Sequence, residues 1–232
     1  YLPVNEKNLV YKAAKLIKDE FNIEQGLDVK IDKRIPVAAG MAGGSSDAAA
    51  ALIGMNKLFD LGLSKKDLMK RGIKLGADVP YCIMRGTALS EGIGEILTPL
   101  PPVPECFILI AKPGISVSTK FVYGNLNLSE LKQHPDIDGM IDDIGKGDIY
   151  GIGDKLNNVL ETVTIKKYPV IDTIKQEMIK SGALGAIMSG SGPTVFGLFD
   201  CKKQARNAFY RLKSLDIAKQ VFLTDFFNKK RG

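Results

Sequence analysis

The stretch 36–47 holds residue types that handle phosphate: Pro36-Val37-Ala38-Ala39-Gly40-Met41-Ala42-Gly43-Gly44-Ser45-Ser46-Asp47. Its glycines and alanines carry little or no side chain, so main-chain N–H groups can approach an anion closely. The run leads into an Ala-, Leu- and Ile-rich segment at 48–59 with no internal proline, which reads as a buried helix. A helix N-terminus gathers unpaired N–H donors and the positive end of the dipole, a combination that suits phosphate. Ser45 and Ser46 stand at that mouth, where hydroxyls can meet phosphate oxygens or a Mg2+ ion. The competing reading is a tight, uncharged turn with Ser45 or Ser46 as an ordinary N-cap. The spacing fits neither a Walker loop, which needs Gly-Lys-Ser/Thr, nor a Gly-x-Gly-x-x-Gly dinucleotide fingerprint.

The second candidate is Asp78, in Gly76-Ala77-Asp78-Val79-Pro80. A carboxylate within hydrogen-bond reach of an alcohol can take its proton as the oxygen attacks phosphorus. On local sequence alone an Asx turn or cap ahead of Val79-Pro80 competes with that role. His134 is the sole histidine, and Lys132-Gln133-His134-Pro135 reads as a polar helix end rather than part of a Ser-His-Asp triad or a His-rich metal site. Cys82, Cys106 and Cys201 fit no disulfide framework and no zinc spacing, which favours a reducing compartment, the cytoplasm. Cys82 is expected in an apolar strand as inert packing.

The elements that must carry these residues follow from periodicity. Apolar spacings of three and four predict a helix over 8–19, and alternation predicts a strand over 27–31. Ser64-Lys65-Lys66-Asp67 has the form of a capping box opening another helix, with Gly76 closing it. The short apolar runs of 81–111 read as strands and turns, and the Pro-rich segment 99–104 as a boundary between domains 1–102 and 103–232. Beyond it, 106–111 reads as a strand and 118–123 as a helix, while the Gly- and Asp-rich stretch 135–154 has no clear pattern. The last third reads as helix 169–180, strands 183–188 and 194–199, helix 202–212 and strand 220–224, an α+β arrangement.

Composition narrows the partners. The 232 residues are 45% hydrophobic and 25% charged, as in a globular chain with room for a sizeable core. The net charge of +6 favours anionic partners. The basic residues are dispersed, and the terminal Lys229-Lys230-Arg231 run has no interleaved aromatics, so a nucleic-acid partner is not expected. No stretch approaches the ~20 apolar residues of a membrane span.

The order Pro-x3-Gly-x2-Gly-Gly-Ser-Ser-Asp-Ala-Ala resembles the second motif of the GHMP small-molecule kinases. Ser189-Gly190-Ser191-Gly192-Pro193-Thr194 is similar to that family's third, Gly-rich motif, and Gly76-Ala77-Asp78-Val79-Pro80 falls where its catalytic aspartate lies. Glu91-Gly92-Ile93-Gly94-Glu95 and Lys112-Pro113-Gly114-Ile115-Ser116-Val117-Ser118-Thr119 resemble the branch acting on a cytidine-diphosphate-linked methylerythritol in the non-mevalonate route to isoprenoid precursors. The resemblance implies a two-domain fold: an N-terminal α/β domain, incomplete here, and a C-terminal ferredoxin-like α+β domain, with a cleft between them. It implies ATP and Mg2+ as cofactors, with Asp78 as catalytic base and substrate contact. Pro36, Val37, Ala38, Ala39, Gly40, Met41, Ala42, Gly43, Gly44, Ser45 and Ser46 would wrap the triphosphate, and Asn8 and Leu9 would lie near adenine. For Asn8 an N-cap role is an equal alternative. Thr119 and Tyr123 would line the cytidine-diphosphate site, Tyr123 by stacking unless it is core, and Gly190, Ser191 and Gly192 would shape it. The other readings are a homoserine or phosphomevalonate substrate, or a non-catalytic nucleotide-binding protein on the same fold. A monomer or weak homodimer is expected. The family's N-terminal Ala-Lys-Ile/Leu-Asn motif and the Tyr-His pair after it have no counterpart here, and Tyr1-Leu2-Pro3-Val4 is not a natural domain start, so the expectation is a chain lacking its first strands.

Overall fold

The computed structural model describes residues 2–131 and 134–227; Lys132, Gln133 and the Lys229-Lys230-Arg231 run lie outside the described residues. The chain divides into two compact units, one of 1–37 and 42–99, the other of 38–41 and 100–232.

The first unit is largely helical: α1 (Leu9–Phe21), α2 (Gly43–Leu58), α3 (Lys65–Gly72) and α4 (Val79–Met84), followed by the antiparallel hairpin β1 (Ala88–Glu91) and β2 (Ile96–Pro99). Helices α1 and α2 meet through Ala13, Ile17, Ala48, Ala49 and Leu52, all buried. Alanines at the contact let the two backbones approach closely, and each fully buried Ile or Leu contributes roughly 1.5–3 kcal/mol. Helix α3 starts on the expected capping box, with Ser64 accepting from the Asp67 N–H and Asp67 accepting from the Ser64 N–H. It ends at Gly72, and a turn carries the chain to Gly76, so Gly76 does not itself close the helix.

Three further expectations for this unit are corrected. Residues 27–31 form no strand: the alternation is there, but no described strand pairs with it, and Val29 is left exposed. A period-two pattern supplies a face, whereas a strand needs a neighbouring ladder. Residues 81–84, Cys82 included, are helical, because Pro80 in the first turn leaves only an already unpaired amide without its hydrogen. The helix expected over 48–59 begins at Gly43, which brings Gly43, Gly44, Ser45 and Ser46 inside its first turns.

The second unit is built on a four-stranded antiparallel sheet of β3 (Phe107–Lys112), β4 (Gly185–Met188), β5 (Val195–Phe199) and β6 (Gln220–Asp225), in spatial order β4-β5-β3-β6. With helices α9 (Val170–Lys180) and α10 (Lys202–Ser214) as crossovers, the chain order is βαββαβ, the ferredoxin-like arrangement. The stretch between β3 and α9, only partly anticipated, holds α5 (Thr119–Gly124), α6 (Ile137–Lys146), α7 (Ile149–Asp154) and α8 (Glu161–Lys167). His134 is exposed in the irregular segment ahead of α6 rather than at a helix end. Strand β3 reads as a continuous apolar run because it is covered on both sides. Leu109 and Ala111 pack with Ile171, Ile174, Met178 and Leu212 of α9 and α10, while Ile108 packs with Ile144 and Ile152 of α6 and α7. Among the described residues, no helix is long and apolar enough to cross a membrane.

Candidate active site

Helix α2 opens without a side-chain cap. Its N-cap is Ala42, in the left-handed region at φ 48, and neither Ser45 nor Ser46 caps it. The first closed bond of the helix runs from the Ser46 N–H to the Ala42 carbonyl at 2.8 Å. The N–H groups of Gly43, Gly44 and Ser45 therefore end with no acceptor among the described residues. The preceding loop is bent by three left-handed residues, Ala38 (φ 51), Gly40 (φ 69) and Ala42. For alanine that conformation costs roughly 1–2 kcal/mol, and such strain gathers where a backbone is shaped to hold something. Pro36 and Met41 are half-buried, Val37 and Ala38 exposed, and Ala39 buried.

A side chain is sterically excluded at Gly40. A Cβ there would collide with the Ser189 carbonyl oxygen and come within 3.0 Å of the Gly192 carbonyl. The Ser189 hydroxyl donates to the Gly40 carbonyl at 2.8 Å, so the two Gly-rich loops are in direct contact. Leu9 lies under α2, its Cδ1 3.3 Å from where a Cβ on Gly44 would stand. The Asn8 Oδ1 accepts from the Val10 N–H at 2.9 Å and its Nδ2 donates to the Pro3 carbonyl at 2.8 Å, which gives Asn8 the capping role.

Asp78 stands at the N-cap position of α4, exposed, and its carboxylate makes no cap bond. The Asx-turn alternative is thus not what this side chain does. The turn carrying it runs beside the start of α2: a Cβ on Gly76 would lie 3.9 Å from the Ser45 Oγ. Four residues on, burial first and the Asp78 and Asp47 charges next push the Cys82 thiol up to about 11, so it stays protonated and unreactive at neutral pH.

In the second unit, the Thr119 and Ser191 hydroxyls are hydrogen-bonded at 3.0 Å, joining two of the predicted residues. Tyr123 is 61% exposed while its neighbour Val122 is fully buried, so the ring is a surface feature and not core. Gly190 and Gly192 hold φ 54 and 86 in the turn between β4 and β5.

Four further residues were missed by the sequence reading. Lys33 forms an ion pair with Asp47, and its Nζ lies 3.0 Å from a Cβ built on Gly43, so a cation stands at the uncapped end of α2. Opposite charges flanking an uncharged run were its one signal. Asn158, Glu161 and Thr164 bond to residues 188, 190 and 191, from a segment with no pattern to announce it. No group of three or more His, Cys, Asp or Glu that could hold a metal occurs among the described residues.

Residues 8–86 match the GHMP kinases N terminal domain and 140–217 the GHMP kinases C terminal. The chain is 60% identical over 99% of its length to the 4-diphosphocytidyl-2-C-methyl-D-erythritol kinase of Lachnoclostridium phytofermentans, covering 79% of that protein. It is 51% identical over 98% of its length to the kinase of the same name from Clostridium perfringens, again covering 79%. Among solved structures, a 4-(cytidine 5'-diphospho)-2C-methyl-D-erythritol kinase superposes with a TM-score of 0.83 at 28% identity, over 98% of this chain and 81% of that one. The homoserine kinase of Cytophaga hutchinsonii shares the fold, with a TM-score of 0.78 at 23% identity over 97% of this chain and 78% of the other. By its two matched domains and these relatives, the chain belongs to the GHMP kinases.

Proposed function

We propose that this chain is an ATP-dependent kinase that phosphorylates the 2-hydroxyl of 4-diphosphocytidyl-2-C-methyl-D-erythritol, a step toward isoprenoid precursors. Relatives bearing that enzyme's name at 51–60% identity over nearly the whole chain support the substrate. The observation that carries the chemistry lies within the first unit. The turn bearing an exposed carboxylate without a cap bond runs beside a helix start with three unpaired N–H groups.

Residues 36–46 and the first turn of α2 bind the triphosphate through backbone N–H groups and the helix dipole, with Lys33 adding a positive charge. Asn8 and Leu9 border the adenine side. Asp78 accepts the proton of the 2-hydroxyl as its oxygen bonds to the γ-phosphorus and the bond from that phosphorus to ADP breaks. Thr119 and Tyr123 hold the cytidine-diphosphate moiety, and Gly190, Ser191 and Gly192 shape the wall beside them. Mg2+ neutralises phosphate charge when bound. The donor set fits an ion resting mainly on the nucleotide, with Ser45 or Ser46 as the protein's contribution, since Asp47 is engaged by Lys33. We further divide the chain into a nucleotide-binding domain, 1–102, and a C-terminal domain, 103–232, a division supported by the Pro-rich segment 99–104. We assign it to the cytoplasm, supported by three cysteines none of which pairs with another.

The test is coupled ADP release by purified full-length protein with ATP and the cytidine-diphosphate-linked substrate. Turnover that requires this substrate is expected. A preference for homoserine or phosphomevalonate would reassign the substrate within the family, and near wild-type turnover by Asp78→Asn would remove the base.

A further inference from the structure

The turn after β4 has little to hold it from within. The Ser189 N–H bonds to the Thr194 carbonyl at 2.8 Å and the Gly192 N–H to the Ser189 carbonyl at 2.9 Å. Beyond the Thr119–Ser191 and Ser189–Gly40 contacts, its anchoring comes from one short segment ahead of and within α8. The Asn158 Nδ2 donates to both the Met188 and Gly190 carbonyls at 2.8 Å, and its Oδ1 accepts from the Leu160 N–H at 3.0 Å. Two carbonyls must face the NH2 end and an N–H must face the oxygen, so the partners themselves fix the orientation of the amide. Glu161, paired with Lys175, accepts from the Met188 N–H at 2.7 Å.

Ser189 is caught between the two carbonyls that Asn158 holds. Its own hydroxyl grips the Gly40 carbonyl, and Gly40 has backbone contact with Ser189 and Gly192. Gly40 sits at φ 69 between the left-handed Ala38 and Ala42, a loop whose conformation is not favoured by its own residues and needs an outside restraint.

We infer that Asn158 is a positioning residue for the phosphate loop, acting through the chain Asn158 to Met188 and Gly190, to Ser189, to Gly40. The inference rests on the reading that residues 36–46 take the ATP phosphates. A half-buried amide that satisfies two carbonyls at once has no easy replacement. Losing two bonds of ordinary net worth weakens whatever depends on them by about tenfold or more.

The experiment compares full-length wild type, Asn158→Ala, Asn158→Asp and Asn157→Ala. ATP dissociation constants, KM for both substrates, kcat and Tm are measured, together with hydrogen exchange of the Gly192 amide without nucleotide. Asn158→Ala is expected to raise the ATP Kd and KM about tenfold, with a much smaller change in the KM of the other substrate. Asn158→Asp keeps the acceptor for Leu160 but sets a carboxylate against two carbonyls, so it should weaken ATP binding further. Asn157→Ala, an exposed neighbour, should match wild type. ATP affinity within twofold of wild type in Asn158→Ala overturns the inference, as does an equal loss for both substrates that tracks lost folded protein. If wild type binds no ATP, the proposed function fails separately. Gly192 exchange then decides for Asn158: faster exchange in Asn158→Ala upholds its hold on the turn, and unchanged exchange refutes it.

Discussion

Helices α2 and α3 belong to the same unit and begin in opposite ways. Helix α3 closes its own N-terminus: Ser64 and Asp67 satisfy each other's backbone N–H groups, and the Ser64 hydroxyl donates to the Asp67 carboxylate at 2.6 Å. Helix α2 begins at an alanine with φ 48 and leaves three N–H groups open, with Lys33 beside them. Helix α4 repeats the second pattern with a residue well suited to capping, Asp78, whose side chain nonetheless does not cap. A helix end sealed by its own sequence contributes stability, whereas one left open is available to a ligand. The difference predicts which substitutions will change folding and which will change turnover.

The sharpest way to break the contrast is Asp78→Asn. With no cap bond to lose and an exposed site, Tm should stay close to wild type, while kcat falls by about 10²–10⁴, the usual worth of a general base. A matched loss of Tm would make Asp78 a structural cap after all. Gly40→Ala should act on both quantities, because the new methyl meets the Ser189 carbonyl and the backbone is left-handed. The conformational part alone, roughly 1–2 kcal/mol, lowers Tm by about 2–8 °C, and ATP affinity should fall with it. Calorimetry and nucleotide titration on one preparation read the two together.

Tyr123→Ala probes the other ligand. Stacking on a base is worth ~1–3 kcal/mol, so KM for the cytidine-diphosphate substrate should rise about tenfold with the KM for ATP unchanged. Equal kinetics would leave the exposed ring without a role in binding. The smallest effect belongs to the sealed end: Ser64→Ala should cost about 1 kcal/mol of stability and leave kcat and both KM values alone. The Ser64 hydroxyl, ahead of other causes, holds the Asp67 carboxyl below the usual carboxylate range. That contribution is present above the ordinary carboxylate pKa and is lost as pH falls through the lowered one. Ser64→Ala should therefore flatten the acid side of the stability profile, which thermal melts across that range will read.

Much of this was legible in the residues. Apolar spacing placed α1 and α9, the Ser64–Asp67 box placed α3, and the strand and helix order of the last third gave an α+β arrangement, while its ferredoxin-like form came from the family resemblance. The glycines and small residues of 36–47 marked the loop, and their order matched a kinase family. What failed did so for identifiable reasons. The alternation of 27–31 has no partner strand, and the apolar run of 81–84 was too short to distinguish a strand from a helix until Pro80 fell in a first turn. Asn158 and Glu161 lie in a stretch without periodicity, and their partners are 27–32 residues away.

By itself, then, the sequence determined the residue types of the Gly-rich loop 36–47, the carboxylate of Asp78, the period of most helices and the membership of a family. These are local properties: which φ a residue tolerates, which face a spacing makes apolar, which groups can carry a proton. The tertiary structure decided that α2 begins at Gly43 with an open end, that Lys33 stands beside it, and that Gly40 has no room for a side chain. It also decided that Asn158 secures the turn on which Gly40 rests. Each of these depends on groups distant along the chain meeting in space, because an unpaired N–H or a filled contact is defined by its neighbours and not by the residue that bears it.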